Sequence, residues 1–350
     1  MEASVKTLFE YLGTDKINKI PVYHRNYDWN KEHCTQLFKD IVKTGQGDNT
    51  TSHFIGSIII AIINANIGKP EHIIIDGQQR ITSSFLFLKA LYDIEKDDEY
   101  IKKFVNEATV NKQRGGNVLK LELQRKDNEL LRRLFSKNPR FTQDEINSNI
   151  YQNYLTFTKL IKDSKIDSKI LENGFKRLKV VAISLQPNDS PQQAIFESIN
   201  STGMKLRTYD LIRNYILMQD VENQEKLYEN YWYKIEEFLQ NQDLENFIYN
   251  FIILKTGKKS TPKNIYYKFK TYMISENISA EKILKDMLFY AEIYSNIIFA
   301  NSKDEEIKQL LGYSKIYKLK VSFSVVLESY ANYKRNIFTK KDLINILSIS

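Results

Sequence analysis

The 350-residue sequence has one cysteine and four histidines, the last of them His72. The lone Cys34 excludes an internal disulfide framework and any cysteine-rich zinc site. The absence of histidine from the remaining 278 residues excludes a histidine-based metal centre or general base from the C-terminal three quarters of the chain. The longest strongly apolar run, Phe54 to Ile63, falls far short of the ~20 residues a membrane span needs. Residues 1 to 20 lack a basic start followed by an apolar stretch, so no signal peptide is read. There is no G-x-x-x-x-G-K-[ST] loop, no G-x-G-x-x-G turn, no internal repeat and no low-complexity linker. These absences predict a cytoplasmic protein with no membrane partner.

What is present is charge, unevenly spread. The net charge of +8 resolves into −3 for residues 1–100, +7 for 101–140, −4 for 141–250 and +8 for 251–350. A basic C-terminal third can track a polyanion, or can be a lysine-rich solvated surface. Hydrophobic residues make up 42% of the chain, enough for two or three globular domains at this length.

Periodicity predicts a short opening helix over residues 4–12, then a β-rich stretch "KIPVYHRNYDW" beginning near Pro21. A helix with Cys34, Leu37, Phe38 and Ile41 on one face follows and stops at Gly45. "HFIGSIIIAII" and "HIIID" read as two strands joined as a hairpin. After Arg80, apolar residues at 81, 85, 88, 91 and 92 mark a helix face. A short strand is expected at 118–124 and a firmer one at 179–187. Pro191 then suits the first turn of a helix that Gly203 ends. Another helix follows, with Thr208 as its N-cap, and everything from about 221 reads helical. The last segment, "TKKDLINILSIS", is barely into a helix when the sequence ends, which suggests a piece of a longer polypeptide.

"IIIDGQQRIT" (73–82) stands out. Asp-Gly between apolar runs is normally a hairpin signal, but here the second run has helical period, so the unit is strand, glycine loop, helix. That geometry turns unpaired backbone N–H groups and the positive end of a helix dipole towards the loop, which suits an anion. Gly77 permits a tight turn and close approach of a phosphate. Gln78 and Gln79 can donate and accept hydrogen bonds, and Arg80 can hold a phosphate bidentately. Asp76 can bind Mg²⁺ or position a water. The alternative is a purely structural cap, with Asp76 bonding the backbone and Arg80 paired to a carboxylate.

Two further stretches carry polar residues in unusual company. "IPVYHRNYDW" sets His24, Arg25 and Asn26 among Tyr23, Tyr27 and Trp29, side chains able to stack on a base or bind an anion, or else a strand with an aromatic core face. "FESINSTGMKLRTYDLIRN" places Glu197, Asn200, Arg207, Asp210, Arg213 and Asn214 around a helix–turn–helix corner. There Asp210 and Arg213 also suit an ordinary i,i+3 pair, and Asn200 with Gly203 an ordinary helix end.

Taken in order, the three stretches resemble the N-terminal domain of the GmrSD-type restriction endonucleases, of the ParB/sulfiredoxin-like superfamily. The matching positions are Ile20, Pro21, Tyr23, Arg25, Tyr27 and Trp29, then Phe54, Gly56 and Ser57, then Ile75 to Arg80 and Thr82. Phe196, Asn200, Gly203, Leu206, Asp210 to Ile212, Arg213 and Asn214 complete the series. His24 departs from the usual glutamine, and the match covers roughly residues 5 to 220. The resemblance implies a nucleoside triphosphate (GTP, CTP, UTP or ATP) and Mg²⁺ as ligands, with hydrolysis supported by the DGQQR motif. It implies Asp76, Gln78, Gln79 and Arg80 as the catalytic set, with Asp76 towards the metal. Tyr23, His24, Arg25, Gly77, Thr82, Asn200 and Arg213 are implied as nucleotide-binding residues. It also implies a role in anti-phage defence, with modified phage DNA as a partner. Cleavage in full-length relatives is assigned to an HNH-type C-terminal domain, whose chemistry needs histidine. This chain is therefore expected to rely on a further C-terminal or a separate nuclease partner, and a homodimer is compatible with the sequence.

The expected fold is α+β, a small mixed sheet with strands near 20–28, 54–63, 72–76, 118–124 and 180–186 and flanking helices, over residues 1–220. An all-helical domain is expected over 221–350. The functional expectation is an NTP-hydrolysing sensor module of a DNA restriction system. Its rivals are a non-hydrolysing DNA-binding scaffold using segments such as "KNIYYKFKTY" (263–272), a nuclease in its own right with carboxylates such as Asp76 and Glu197, or an antitoxin-like interaction protein.

Overall fold

The computed structural model describes residues 2–48, 50–63, 71–112, 118–185, 207–258, 261, 264–316 and 323–349. Compactness divides the chain into two units, Met1–Ser198 and Ile199–Ser350. The division falls within the last sequence motif, residues 196–214, whose described part, from Arg207 to Asn214, lies in the second unit. The helix expected after Pro191, its end at Gly203, and Phe196, Glu197, Asn200 and Leu206 lie outside the described residues.

The first unit is built on a six-stranded mixed sheet in the order β1-β8-β3-β4-β2-β7. Its strands are β1 (Glu2–Thr7), β2 (Ile17–Lys19), β3 (His53–Ile63), β4 (Glu71–Asp76), β7 (Leu121–Glu122) and β8 (Leu178–Leu185). β3 and β4 pair antiparallel, as expected of the hairpin, while β3 pairs parallel with β8. β8 shows why a strand with one core face alternates: Leu178, Val180 and Ala182 are buried, and Lys179 between them is exposed.

Helices α1 (Leu8–Gly13), α2 (Lys31–Gln46), α3 (Gln78–Ile94), α4 (Glu99–Thr109), α5 (Arg125–Leu134), α6 (Gln143–Ile146), α7 (Asn149–Ser164) and α8 (Ser168–Lys176) accompany the sheet. α3 packs against α4 and α7. It is buried on almost every side, Thr82, Ser83, Ser84 and Lys89 included, where the sequence predicted one apolar face. Some of its polar side chains are satisfied within the helix, Ser84 donating to the Arg80 carbonyl at 2.7 Å and Lys89 to Asp93 at 2.5 Å, and Ser83 lies 2.6 Å from the Tyr27 hydroxyl. Such pairing is what permits polar groups inside a core.

Four local expectations are corrected. Residues 4–12 are not one helix: β1 occupies the first half as an edge strand held antiparallel by β8. Thr7 then starts α1 by accepting from the Glu10 N–H at 3.1 Å while Glu10 accepts from the Thr7 N–H at 2.8 Å. The strand expected at 20–28 is absent: the Ile20 N–H still donates to the Glu122 carbonyl, but beyond it side chains take many of the segment's backbone groups. The strand expected at 118–124 is two fragments with different partners, Val118–Leu119 (β6) on Val110–Asn111 (β5), and β7 on β2. Gly45 does not stop its helix, which runs to Gln46. Added Cβ atoms at Gly45 and Gly174 would collide with the Ile170 and Ile41 carbonyl oxygens, so these two glycines let α2 and α8 cross at backbone contact.

Every described element of the second unit is a helix: Thr208–Met218, Gln224–Leu227, a π-helical turn Tyr228–Trp232, Tyr233–Thr256, Ile265–Ser275, Ala280–Ile298, Glu305–Ile316, Phe323–Lys334 and Lys340–Ile349. Thr208 is the first residue of its helix rather than the cap; Arg207 holds that place without a side-chain capping bond. Trp232, Phe247, Phe251, Phe269, Met287 and Tyr290 fill this unit's interior. No described helix is long and apolar enough to cross a membrane.

Candidate anion site at a strand–glycine–helix corner

β4 ends at Asp76, and Gly77 turns the chain with φ of +96° into α3. The backbone at Gly77 lies close against β3: an added Cβ would stand 3.0 Å from the Ser57 carbonyl oxygen. A positive φ in so tight a place favours glycine. Gly77 is also the N-cap of α3 and, having no side chain, makes no capping bond. The first N–H groups of α3 thus have no side-chain cap at the residue that ordinarily supplies one.

Arg80 lies in the first turn of α3, half-buried, and its Nη1 donates to the Ser57 carbonyl at 2.6 Å. Among the described residues no carboxylate pairs with it, and the Asp76 carboxylate makes neither a hydrogen bond nor an ion pair. The structural-cap arrangement, Asp76 on the backbone and Arg80 on a carboxylate, is therefore not formed among these residues. A half-buried guanidinium beside an uncapped helix start carries uncompensated positive charge, the condition for holding an anion.

The two glutamines play different parts. Gln79 Oε1 accepts from the backbone N–H groups of Asp28 at 2.9 Å and Trp29 at 3.2 Å, and its Nε2 donates to the Asn26 carbonyl at 3.3 Å. Its amide is used to fasten the 26–29 loop to α3. Gln78 is buried, and its Oε1 has no partner among the described residues. Thr82 is also buried, and its hydroxyl donates back to the Gln78 carbonyl at 2.9 Å, a bond within the helix.

The aromatic stretch is a loop pinned from many sides. His24 is buried with Nε2 2.8 Å from the Ile74 carbonyl oxygen, so Nε2 carries the proton and His24 braces β4. Tyr23 is buried beside it, and desolvation raises its hydroxyl pKa above the ordinary value. Tyr27 hydroxyl sits 2.6 Å from Ser83 Oγ and accepts from Asn153 Nδ2 at 3.2 Å. Arg25 Nη1 reaches Asp28 at 3.1 Å, and its Nε is buried without a partner among the described residues. Arg25, Gln78 and Asp127 share the lining of a cavity of about 10 Å³.

Sequence reasoning missed three of the residues that shape this region. Gln124 Nε2 donates to the carbonyls of Pro21 at 2.6 Å and His24 at 2.7 Å. Asn153 Nδ2 donates to the Trp29 carbonyl at 2.5 Å. Asp127 accepts from the Tyr27 N–H at 3.0 Å, and burial raises its carboxyl pKa. Each acts across about a hundred residues or more of chain, and nothing in its local sequence signals it.

The structure brings Asp76, Gly77, Gln78, Gln79 and Arg80 together at the corner with Tyr23, His24 and Arg25 in the adjoining loop. Asn200 lies outside the described residues. Arg213 is in the second unit, buried, with Asp210 at 2.7 Å and Glu236 at 2.9 Å. Among the described residues no group of three histidine, cysteine or acidic side chains could hold a metal ion. A single partnerless carboxylate at Asp76 fits Mg²⁺, which is commonly held by one or two carboxylates together with substrate phosphates.

The chain is similar to the uncharacterized protein MJ0686 of Methanocaldococcus jannaschii, 23% identical over 233 residues. The match covers 55% of this chain and only 38% of the relative's length. The family model described as the GmrSD restriction endonuclease, N-terminal domain, matches residues 7–217 and so takes in the corner, the pinned loop and the last motif. With more than half of its length inside that match, the chain belongs to the GmrSD restriction endonuclease N-terminal domain family.

Proposed function

We propose that the first unit binds a nucleoside triphosphate at the Asp76–Arg80 corner with Mg²⁺ and hydrolyses it, as the sensor module of a restriction system. Family membership associates the chain with restriction systems. Coupling of hydrolysis to the recognition of modified phage DNA, and cleavage by a further C-terminal or separate nuclease, belong to this proposal. The observation that carries it is Arg80, a guanidinium tied among the described residues only to a backbone carbonyl and placed at the start of α3, where Gly77 makes no capping bond.

In this reading Arg80 and the N–H groups of the first turn of α3 hold phosphate oxygens, as helix starts commonly do. Gln79 keeps the 26–29 loop, with Arg25 just before it, against α3. The Asp76 carboxylate holds Mg²⁺, which would neutralise phosphate charge. Phosphate release from ATP, GTP, CTP and UTP with Mg²⁺, for wild type and Arg80→Ala, with and without modified DNA, tests it. Turnover that disappears in a folded Arg80→Ala supports the reading. Absence of both turnover and any nucleotide-induced thermal shift in the wild type sinks it.

A second reading, a non-hydrolysing DNA-binding scaffold, is favoured by one observation in the second unit. Tyr267 stands 65% exposed on a helix that also carries Lys268 and Lys270. That reading expects DNA binding that weakens steeply with salt and is indifferent to Arg80.

A further inference from the structure

β3 is irregular beside the corner. Phe54 is opposite Lys179 and Ser57 is opposite Val181, so β3 uses one residue more than β8 between these pairs, a bulge. Within it Gly56 adopts φ of +116°, a conformation side-chain-bearing residues rarely take. A Cβ built on Gly56 would lie 2.8 Å from Cζ, 2.9 Å from Nη2 and 3.0 Å from Nε of Arg80. Three near-equal distances place that missing atom over the face of the guanidinium. The next residue supplies the edge contact, since Ser57 carbonyl accepts from Nη1 at 2.6 Å.

We infer that Gly56 is a positioning residue for Arg80, and that the β3 bulge is the seat that aims this guanidinium. The absent side chain leaves room for the guanidinium face, and the bulged backbone offers the Ser57 carbonyl to one edge. The other N–H groups of Arg80 then remain for a ligand. Gly77 shares the Ser57 carbonyl as neighbour but differs in kind: its added Cβ would meet backbone at 3.0 Å, whereas that of Gly56 would meet the far end of a flexible side chain. Substitution at Gly56 therefore displaces Arg80 and also strains the bulge, and removing the Arg80 side chain relieves only the first of these. The consequence for a triphosphate rests on the function proposed above; the seat itself does not.

The test compares wild type, Gly56→Ala, Arg80→Ala and the double variant. Without ligand, modification of Arg80 by phenylglyoxal is followed by peptide mass spectrometry. Gly56→Ala is expected to speed modification of Arg80 severalfold while other arginines keep their rates; an unchanged Arg80 rate overturns the seat. If Gly56→Ala fails to fold but the double variant folds, the collision with Arg80 is the cause and the inference stands. If both fail, Gly56 serves the backbone alone and the inference is wrong. With ATP, GTP, CTP or UTP and Mg²⁺, Gly56→Ala is expected to lose as much thermal shift as Arg80→Ala, with no further loss in the double variant. Losses that add up, or a wild-type shift in Gly56→Ala, overturn it. A wild type without any nucleotide shift, together with faster phenylglyoxal modification in Gly56→Ala, rejects the triphosphate and keeps the seat.

Discussion

The corner that ends β4 and the turn of helix that opens the helical unit each carry an arginine, and the protein treats the two oppositely. Arg213 is buried between Asp210 and Glu236, and Glu236 is itself held by Trp232 Nε1 at 2.7 Å and the Tyr228 hydroxyl at 3.0 Å. Burial pulls the Arg213 pKa down, but the two carboxylates more than offset it, and the result lies above the ordinary value. Arg80 has a carbonyl oxygen and no countercharge among the described residues. Guanidinium stays charged in proteins. It must therefore be paired when buried, and where it is left unpaired near the surface it is available to an anion. Arg213 meets the first condition and Arg80 the second.

Removing Arg213 should break this contrast most violently. Arg213→Ala strands two carboxylates inside the helical unit and should cost about 3–5 kcal/mol, read as a lower urea midpoint. Arg80→Ala should cost only about 1 kcal/mol of stability. If Arg80→Ala proves the more destabilising, the assignment of structural and binding arginines is reversed.

Next in size is ligand affinity. Losing a charge-assisted bond of about 1.5–3 kcal/mol should weaken triphosphate binding roughly ten- to a hundredfold in Arg80→Ala, by calorimetric titration. An equal loss in a folded Arg213→Met variant would defeat the contrast.

The glutamines sharpen the comparison within one turn of helix. Gln79→Ala leaves the Asp28 and Trp29 N–H groups without their acceptor and should cost about 1–3 kcal/mol. Gln78→Ala, which removes an oxygen that has no partner, should leave the thermal midpoint close to wild type.

His72 shows the escape open to a group that, unlike arginine, can lose its proton. It is buried with Nε2 partnerless, and burial together with Lys16 and Lys6 lowers its pKa to about 4. The native state therefore favours neutral His72. Its contribution is fully present above the unfolded value near 6.5 and is lost as pH falls from there to about 4. The loss should be on the order of 3 kcal/mol, and His72→Leu should flatten that part of the acid limb in urea titrations. An unchanged slope would show that other groups set it. At the small end, the Lys285–Glu281 pair, exposed on both sides at 2.8 Å, should be removable by Lys285→Ala with no resolvable change in midpoint.

Periodicity made β3, β4, β8 and the helical second half legible, because burial on one face leaves a repeat in the sequence. The corner was legible too, since a period-2 run meeting a helical run across Asp76-Gly77 admits few geometries. β1 was not: an edge strand with little burial takes its conformation from β8, and residues 4–12 alone resemble a helix. The loop over 20–30 was missed for a related reason. Its aromatic residues alternate like a strand, but Gln79, Gln124, Asp127 and Asn153 take its backbone groups.

By itself, then, the sequence determined the mixed sheet with its helical sequel, the strand–glycine–helix corner, and the presence of Arg80 there. These follow from local sterics and from the repeat that burial imposes. Only the tertiary structure decided which of two adjacent glutamines anchors a loop, which of two arginines is neutralised, and why Gly56 is a glycine. Asp210 was legible as an i,i+3 neighbour of Arg213. Glu236, the Asp28 and Trp29 N–H groups and the Arg80 guanidinium beside Gly56 are brought close by folding from well outside the local sequence. Charge compensation, unlike hydrophobic burial, leaves no period behind.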